Sequence, residues 1–196
     1  MGQKKPSKSL KKCKAIGKNK VLANLRGDLL NAENILIIGP WIDTFFIEEI
    51  KISLPKSATA RVLTRLANTE DEENIVTYNA LKILKSFVSS LEARSLSTVH
   101  SKVIIINKSI VYLGSTNWYR YSLEVAPEIT LRCPIEFISG LDRIIDEYWN
   151  EGSEINFSAN IDGNSNKNEI NYEIIDPLAQ QALKNNPKAY IKKMKK

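Results

Sequence analysis

The sequence predicts a single α/β domain, on three observations. Of the 196 residues, 43% are hydrophobic and 26% charged, which is enough apolar material for one core and too much for a disordered chain. Short apolar runs bounded by turn residues alternate with stretches whose apolar residues recur at helical spacing. One segment, TVHSKVIIINKSIVYLGSTN over residues 98–117, reads as two strands joined by a turn, with the only histidine of the chain near its start.

Each element follows from local pattern. Residues 20–33 carry Val21, Leu22, Leu25, Leu29 and Leu30 at helical spacing. Residues 35–38 are an unbroken apolar strand stopped by Gly39-Pro40, and a helix is expected over 42–50. TARVLTRL, 59–66, alternates as a second strand. Acidic residues at 70–73 favour the start of a helix over 75–91. A third strand, 92–96, leads into the histidine segment. A strand over 128–131 follows it, and then PIEFISGLDRIIDEYW, 134–149, reads as an amphipathic helix opened by proline. The domain is expected over 20–155, between a basic flexible N-terminal tail, 1–19, and a polar linker with a basic C-terminal tail, 156–196.

Composition narrows the function classes. No apolar run approaches the roughly 18 residues of a membrane span, and the basic N-terminus is not followed by the apolar core of a secretory signal. The expected setting is therefore cytoplasmic, without stable membrane insertion. Two cysteines, Cys13 and Cys133, are too few for a disulfide framework, and reduced thiols are expected. With one histidine, a zinc site would need carboxylates or both cysteines.

The net charge of +6 is unevenly placed: eight lysines lie in 1–20 and six in 184–196, leaving 14 basic against 22 acidic side chains between them. Such ends serve solubility or hold a polyanion through phosphate contacts. Lys4, Lys5, Lys11, Lys12, Lys192 and Lys193 are the candidate nucleic-acid contacts. Trp41 and Trp118 are either core residues or platforms for bases.

In a strand, alternate side chains share a face, so His100 and Lys102 point the same way. A two-residue turn at Asn107-Lys108 would set Ser115 opposite His100 and Leu113 opposite Lys102, with Asn117 just beyond and Gly114 permitting a tight change of direction. An imidazole, an ammonium, a hydroxyl and a carboxamide then gather at one end of a hairpin, a set suited to phosphate. His-x-Lys alone would equally suit an exposed strand end.

The full spacing is more specific. His100-x-Lys102, four residues, Asn107, six residues, Gly114-Ser115-x-Asn117 resembles the HKD signature of the phospholipase D superfamily, with Asn107 where that pattern has Asp. Glu128, eleven residues after Asn117, falls where members commonly carry a glutamate. The order of elements over 22–149 is also similar to the family's catalytic unit. The resemblance implies a mixed β-sheet flanked by helices, with one HKD half-site per chain.

The same resemblance implies roles. His100 would be the nucleophile, forming a phosphohistidine; Lys102 and Asn117 would hold non-bridging phosphate oxygens, with Ser115 assisting. Glu128 would accept a hydrogen bond from the imidazole, and Asn107 would support the motif without the usual charge. The chemistry calls for no metal and no cofactor. It does call for a second histidine, so two chains would combine across a two-fold axis as a homodimer. Short single-motif members are typically nucleases, so the expected activity is a phosphodiesterase, an endonuclease acting on DNA or RNA. A phospholipase D-type lipid hydrolase and a catalytically weak nucleic-acid-binding module are the alternatives.

Overall fold

A strand that is apolar on both faces must be covered on both sides, and runs such as Ile35, Leu36, Ile37 and Ile38 therefore belong in the middle of a layered sheet. The computed structural model describes residues 12–17, 19–66 and 72–157. In chain order its elements are β1 (Lys14–Ile16), α1 (Val21–Leu29), β2 (Asn34–Gly39), α2 (Thr44–Lys51), β3 (Thr59–Thr64), α3 (Glu72–Phe87), β4 (Ser90–Ser95), β5 (Val103–Ile106), β6 (Ile110–Gly114), α4 (Arg120–Glu124), β7 (Thr130–Pro134), α5 (Leu141–Glu151) and β8 (Ser153–Glu154). The described strands form one open sheet in the order β1-β7-β6-β5-β2-β3-β4-β8. Pairings β2–β3 and β3–β4 are parallel and the rest antiparallel. This is the helix-flanked mixed sheet that the sequence predicts.

Alternation sorts the side chains into two cores. Ile35, Ile37, Val62, Ile104 and Tyr112 face α1, α2 and α3, against Leu25, Phe46, Ile50 and Leu81. Ile38, Leu63, Val103, Ile105 and Val111 face the other way, against Leu141, Ile145 and Trp149 of α5. A polar cluster bridges α1 to the sheet on the first face. The Tyr112 hydroxyl donates to Asp28 Oδ2 at 2.5 Å, Arg132 Nε donates to the same oxygen at 2.6 Å, and Arg132 Nη2 donates to Asp28 Oδ1. Burial and the Asp28 charge push the phenol well above its ordinary pKa, so it stays protonated and donates.

Several expectations are corrected. Residues 14–16, expected in a flexible tail, form the edge strand β1 on β7, with Lys14 opposite Arg132. That register brings Cys13 beside Cys133, and the two are joined in a disulfide instead of remaining reduced. Their separation of 120 residues hid the pairing. Strand β7 begins at Thr130 and runs through Pro134, so this proline closes a strand and leads into a single 3₁₀ turn, Ile135–Phe137, instead of opening a continuous α-helix. Gly140, at φ 77°, then interrupts the apolar period, and α5 starts only at Leu141. The short elements α4 and β8 have no periodic signal of their own.

The hairpin is also one residue out of the expected register. Asn107 and Lys108 both adopt φ 52°, and Ser109 joins the turn. Val103 therefore pairs with Leu113 and Ile106 with Ile110, placing Gly114 across from Lys102, whose carbonyl its N–H meets at 3.3 Å. Gly114 is needed for closeness and not for a left-handed backbone: a Cβ there would collide with the Ile129 carbonyl oxygen. Asn107 occupies the hairpin tip, where asparagine tolerates positive φ. Its Oδ1 accepts from Glu33 N (2.8 Å) and Asn34 N (3.2 Å), and its Nδ2 donates to Asn31 O (3.1 Å). An aspartate could not make the last bond.

Candidate active site

Because β5 runs antiparallel to β2, its start lies beside the ends of β2 and β3, and the end of β6 and the start of β7 complete the same edge. The connections along that edge carry Trp41 and Asp43 after β2, Arg65 after β3, His100 and Lys102 before β5, Ser115 to Asn117 after β6, and Glu128 before β7. Connections at the carboxyl ends of parallel strands are where α/β folds place ligand-binding groups.

His100 and Lys102 stand just ahead of β5, not within a strand, yet they meet on one side. Lys102 Nζ lies 3.0 Å from Nδ1 and 3.1 Å from Nε2 of His100, and it donates to the His100 carbonyl at 2.7 Å. A position nearly equidistant from both ring nitrogens at that range cannot lie in the ring plane, where it would collide with Cε1. The ammonium therefore sits over the imidazole face and leaves the nitrogen edges open. His100 is exposed, whereas Lys102 is only 6% exposed.

These groups tune one another. The Lys102 charge, with lesser help from burial and Arg65, holds His100 below the usual histidine pKa, so the imidazole is neutral at pH 7. Burial lowers the Lys102 pKa and Arg65 lowers it further, while the Glu128 carboxylate opposes both.

A hydrogen-bond chain fixes the remaining groups. Ser115 Oγ donates to Glu128 Oε2 at 2.5 Å, and Ser122 Oγ donates to Glu128 Oε1 at 2.8 Å while accepting from Asn117 N at 2.8 Å. Glu128 thus bonds two serines, and the expected hydrogen bond from the imidazole is absent. Lys102 covers the ring, and the serines take both carboxylate oxygens. Asn117 is 8% exposed, and its Oδ1 is buried with no partner. Leaving such a group unmet typically costs about 1–3 kcal/mol, so a water or a ligand is its natural partner. A carboxamide can present either its oxygen or its NH₂ by flipping.

The backbone beneath is rigid. Trp118 is fully buried, stacks on Phe46 and donates Nε1–H to Ile38 O at 2.7 Å. A side chain on Gly39 would collide with that indole. Asp43 caps α2 by accepting from Phe46 N at 2.8 Å, and it also accepts from Arg120 N at 2.8 Å, tying the two loops together. Burial pushes its carboxyl up to about 6.

The fold thus brings together His100, Lys102, Ser115, Asn117 and Glu128. Asn107 lies at the far tip of the hairpin. Lys12 is exposed ahead of β1, while Lys4, Lys5, Lys11, Lys192 and Lys193 lie outside the described residues. Among the described residues no cluster of three or more His, Cys, Asp or Glu is placed to hold a metal ion, and no helix is long and apolar enough to cross a membrane. Sequence reasoning missed Arg65, Asp43 and Ser122. Arg65 alone had a usable signal, since it follows a predicted strand parallel to the first. Asp43 and Ser122 act through contacts with no sequence pattern.

Comparison with known proteins decides the family. Residues 29–150 match the family model described as "Cardiolipin synthase, PLD-like domain". The chain belongs to the phospholipase D superfamily. No curated protein matches it. Several solved structures are similar to it at low identity. The phospholipase D family member Nuc from Salmonella typhimurium is 12% identical with a TM-score of 0.56, over 73% of this chain and 98% of that one. NucT from Helicobacter pylori is 16% identical with a TM-score of 0.55, over 73% and 98%. The archaeal chromatin protein TrmBL2, described as showing a novel mode of DNA binding, is 13% identical with a TM-score of 0.52, over 76% and 56%. At these identities the similarity concerns the fold.

Proposed function

We propose that this phospholipase D-like protein is a phosphodiesterase, an endonuclease that cleaves DNA or RNA without a metal. The observation that carries the proposal is Lys102 Nζ over the face of an exposed, neutral His100, at the same sheet edge as the Asn117 carboxamide, whose Oδ1 has no partner among the described residues. Lysine and carboxamide suit the non-bridging oxygens of a phosphodiester, and the open ring edge suits attack on phosphorus.

In the reaction a ring nitrogen of His100 attacks phosphorus, and a P–N bond forms as the bond to the leaving oxygen breaks. His100 of the partner subunit, once it has taken up a proton from solvent, protonates that oxygen as an imidazolium. It then takes a proton from water, whose oxygen attacks phosphorus and breaks the P–N bond. Lys102 and Asn117 steady the charge on the phosphoryl oxygens. Glu128 balances the Lys102 charge and, through Ser115 and Ser122, fixes the loop that carries Asn117. The basic segments at both ends, Lys4, Lys5, Lys11, Lys12, Lys192 and Lys193 among them, would add salt-sensitive contacts to backbone phosphates.

Plasmid DNA incubated with the protein in excess EDTA tests the reading: nicking supports it, and intact DNA overturns it. A strict monomer by light scattering that still cleaves would overturn the shared site. Two other readings have specific support. The matched family description names cardiolipin synthase, which favours a phospholipid diester; headgroup release from vesicles with no action on DNA would establish that. TrmBL2 favours a binding module; a salt-sensitive mobility shift without cleavage would establish that. The Cys13–Cys133 bond bears on location, because disulfides persist in oxidising compartments and are rare in the cytosol. The cytoplasmic setting expected from the sequence would require the pair to be reduced there, which thiol alkylation of protein from cells would read.

A further inference from the structure

One aromatic residue at the site edge has no role in the chemistry described. Of the three tryptophans, Trp118 is fully buried and Trp149 is 6% exposed, whereas Trp41 is half-buried with open surface. Its ring meets the His100 ring edge-on, with centroids 6.3 Å apart and an interplanar angle of 86°. Tyr119 braces it from another side at 6.4 Å, and the Arg65 guanidinium lies 5.7 Å from its centroid. Among the described residues Arg65 makes one hydrogen bond, Nη2 to Val99 O at 3.2 Å, and its Nε has no partner. Its charge acts on both His100 and Lys102. A half-buried indole, with the Arg65 guanidinium over one side of its ring, thus lies beside the nucleophile.

We propose that Trp41 and Arg65 form a nucleotide subsite: an unstacked base adjoining the scissile phosphate rests on the indole, and Arg65 holds the neighbouring phosphate. This rests on the nuclease reading above and sharpens its substrate to single-stranded nucleic acid. In a duplex the bases are stacked inward, and only an extruded or unpaired base can reach a platform beside the reacting phosphate. Stacking on an aromatic side chain is sequence-tolerant, because every base has a π-face, so the subsite selects strandedness and not sequence.

Labelled oligonucleotides and the full-length protein test this. A single strand is cut about tenfold or more faster than the same sequence in a duplex, and an abasic residue suppresses cutting at the adjacent phosphate by about tenfold. Trp41→Ala erases both differences and Trp41→Phe keeps most of them. Equal cutting of single strand and duplex, or of abasic and intact strands, by the unmodified protein would overturn the subsite while leaving the nuclease reading standing. This arm needs no variant to fold. If no nucleic acid is cut while phosphatidylglycerol vesicles lose headgroup, the nuclease reading falls and the subsite with it.

Discussion

Two polar clusters in this molecule each centre on a cation at least partly buried, and they are built in opposite ways. Around Arg132, the Asp28 carboxylate accepts two guanidinium bonds and the Tyr112 hydroxyl, so donors and acceptors match. Around Lys102, Arg65 adds to the positive side, the neutral histidine brings no countercharge, and the opposing carboxylate, Glu128, is already bonded to two serines. Two buried polar atoms there, Asn117 Oδ1 and Arg65 Nε, have no partner. The first cluster is complete without a ligand and serves the fold. The second has an excess of positive charge, which is an arrangement for an anion, and the Asn117 carboxamide can serve one only by turning its NH₂ into the site.

Substitutions that break this contrast should differ in kind. The largest effect is expected from His100→Ala, which should reduce diester cleavage by roughly 10⁴-fold or more while leaving thermal unfolding unchanged. Turnover near that of the unmodified protein would remove His100 from the nucleophile's role. Lys102→Met should cost roughly 10² to 10³ in kcat. It should also raise the His100 pKa, since the charge that lowers it is gone, and steady-state kinetics with NMR titration read the two effects.

In the structural cluster, Arg132→Met should leave the Asp28 carboxylate buried with only the tyrosine and lower stability by about 3 kcal/mol in urea unfolding. The kcat of the folded fraction should stay as it was; a selective fall in kcat with stability intact would invert the assignment. A smaller effect comes from Asp43. In the folded chain it takes up a proton near pH 6, against 3.8 as its ordinary value. The folded state therefore binds more protons between those values, and stability falls as pH rises through that window. Asp43→Asn should flatten that slope. The smallest effect is expected from Arg65→Gln, which should raise the pKa of the single histidine, a lone imidazole resonance in the spectrum, by less than Lys102→Met does.

Much of this was legible in the sequence. The central strands were, because residues 35–38 and 103–106 are apolar on both faces, and only a covered sheet accommodates that. Spacing groups His100, Lys102, Ser115 and Asn117, the family resemblance adds Glu128, and all five lie at one sheet edge. Their detailed relations were less legible. Ser109 joins Asn107 and Lys108 in the turn and moves the register by one, and no residue type in that turn announces it. Glu128 was expected on the imidazole and bonds serines instead, because Ser122 comes from a five-residue helix that has no periodic signature.

The sequence by itself determined the fold class, the family and the chemistry on offer, because periodicity and spacing are local properties of the chain. Tertiary structure alone decided what lies next to what. It joined Cys13 to Cys133 across 120 residues, set the Lys102 ammonium over the face of His100, and drew Arg65 and Trp41 to the same edge. Such contacts depend on how strands from distant parts of the chain end side by side, and pairing at that distance leaves no mark in any one segment.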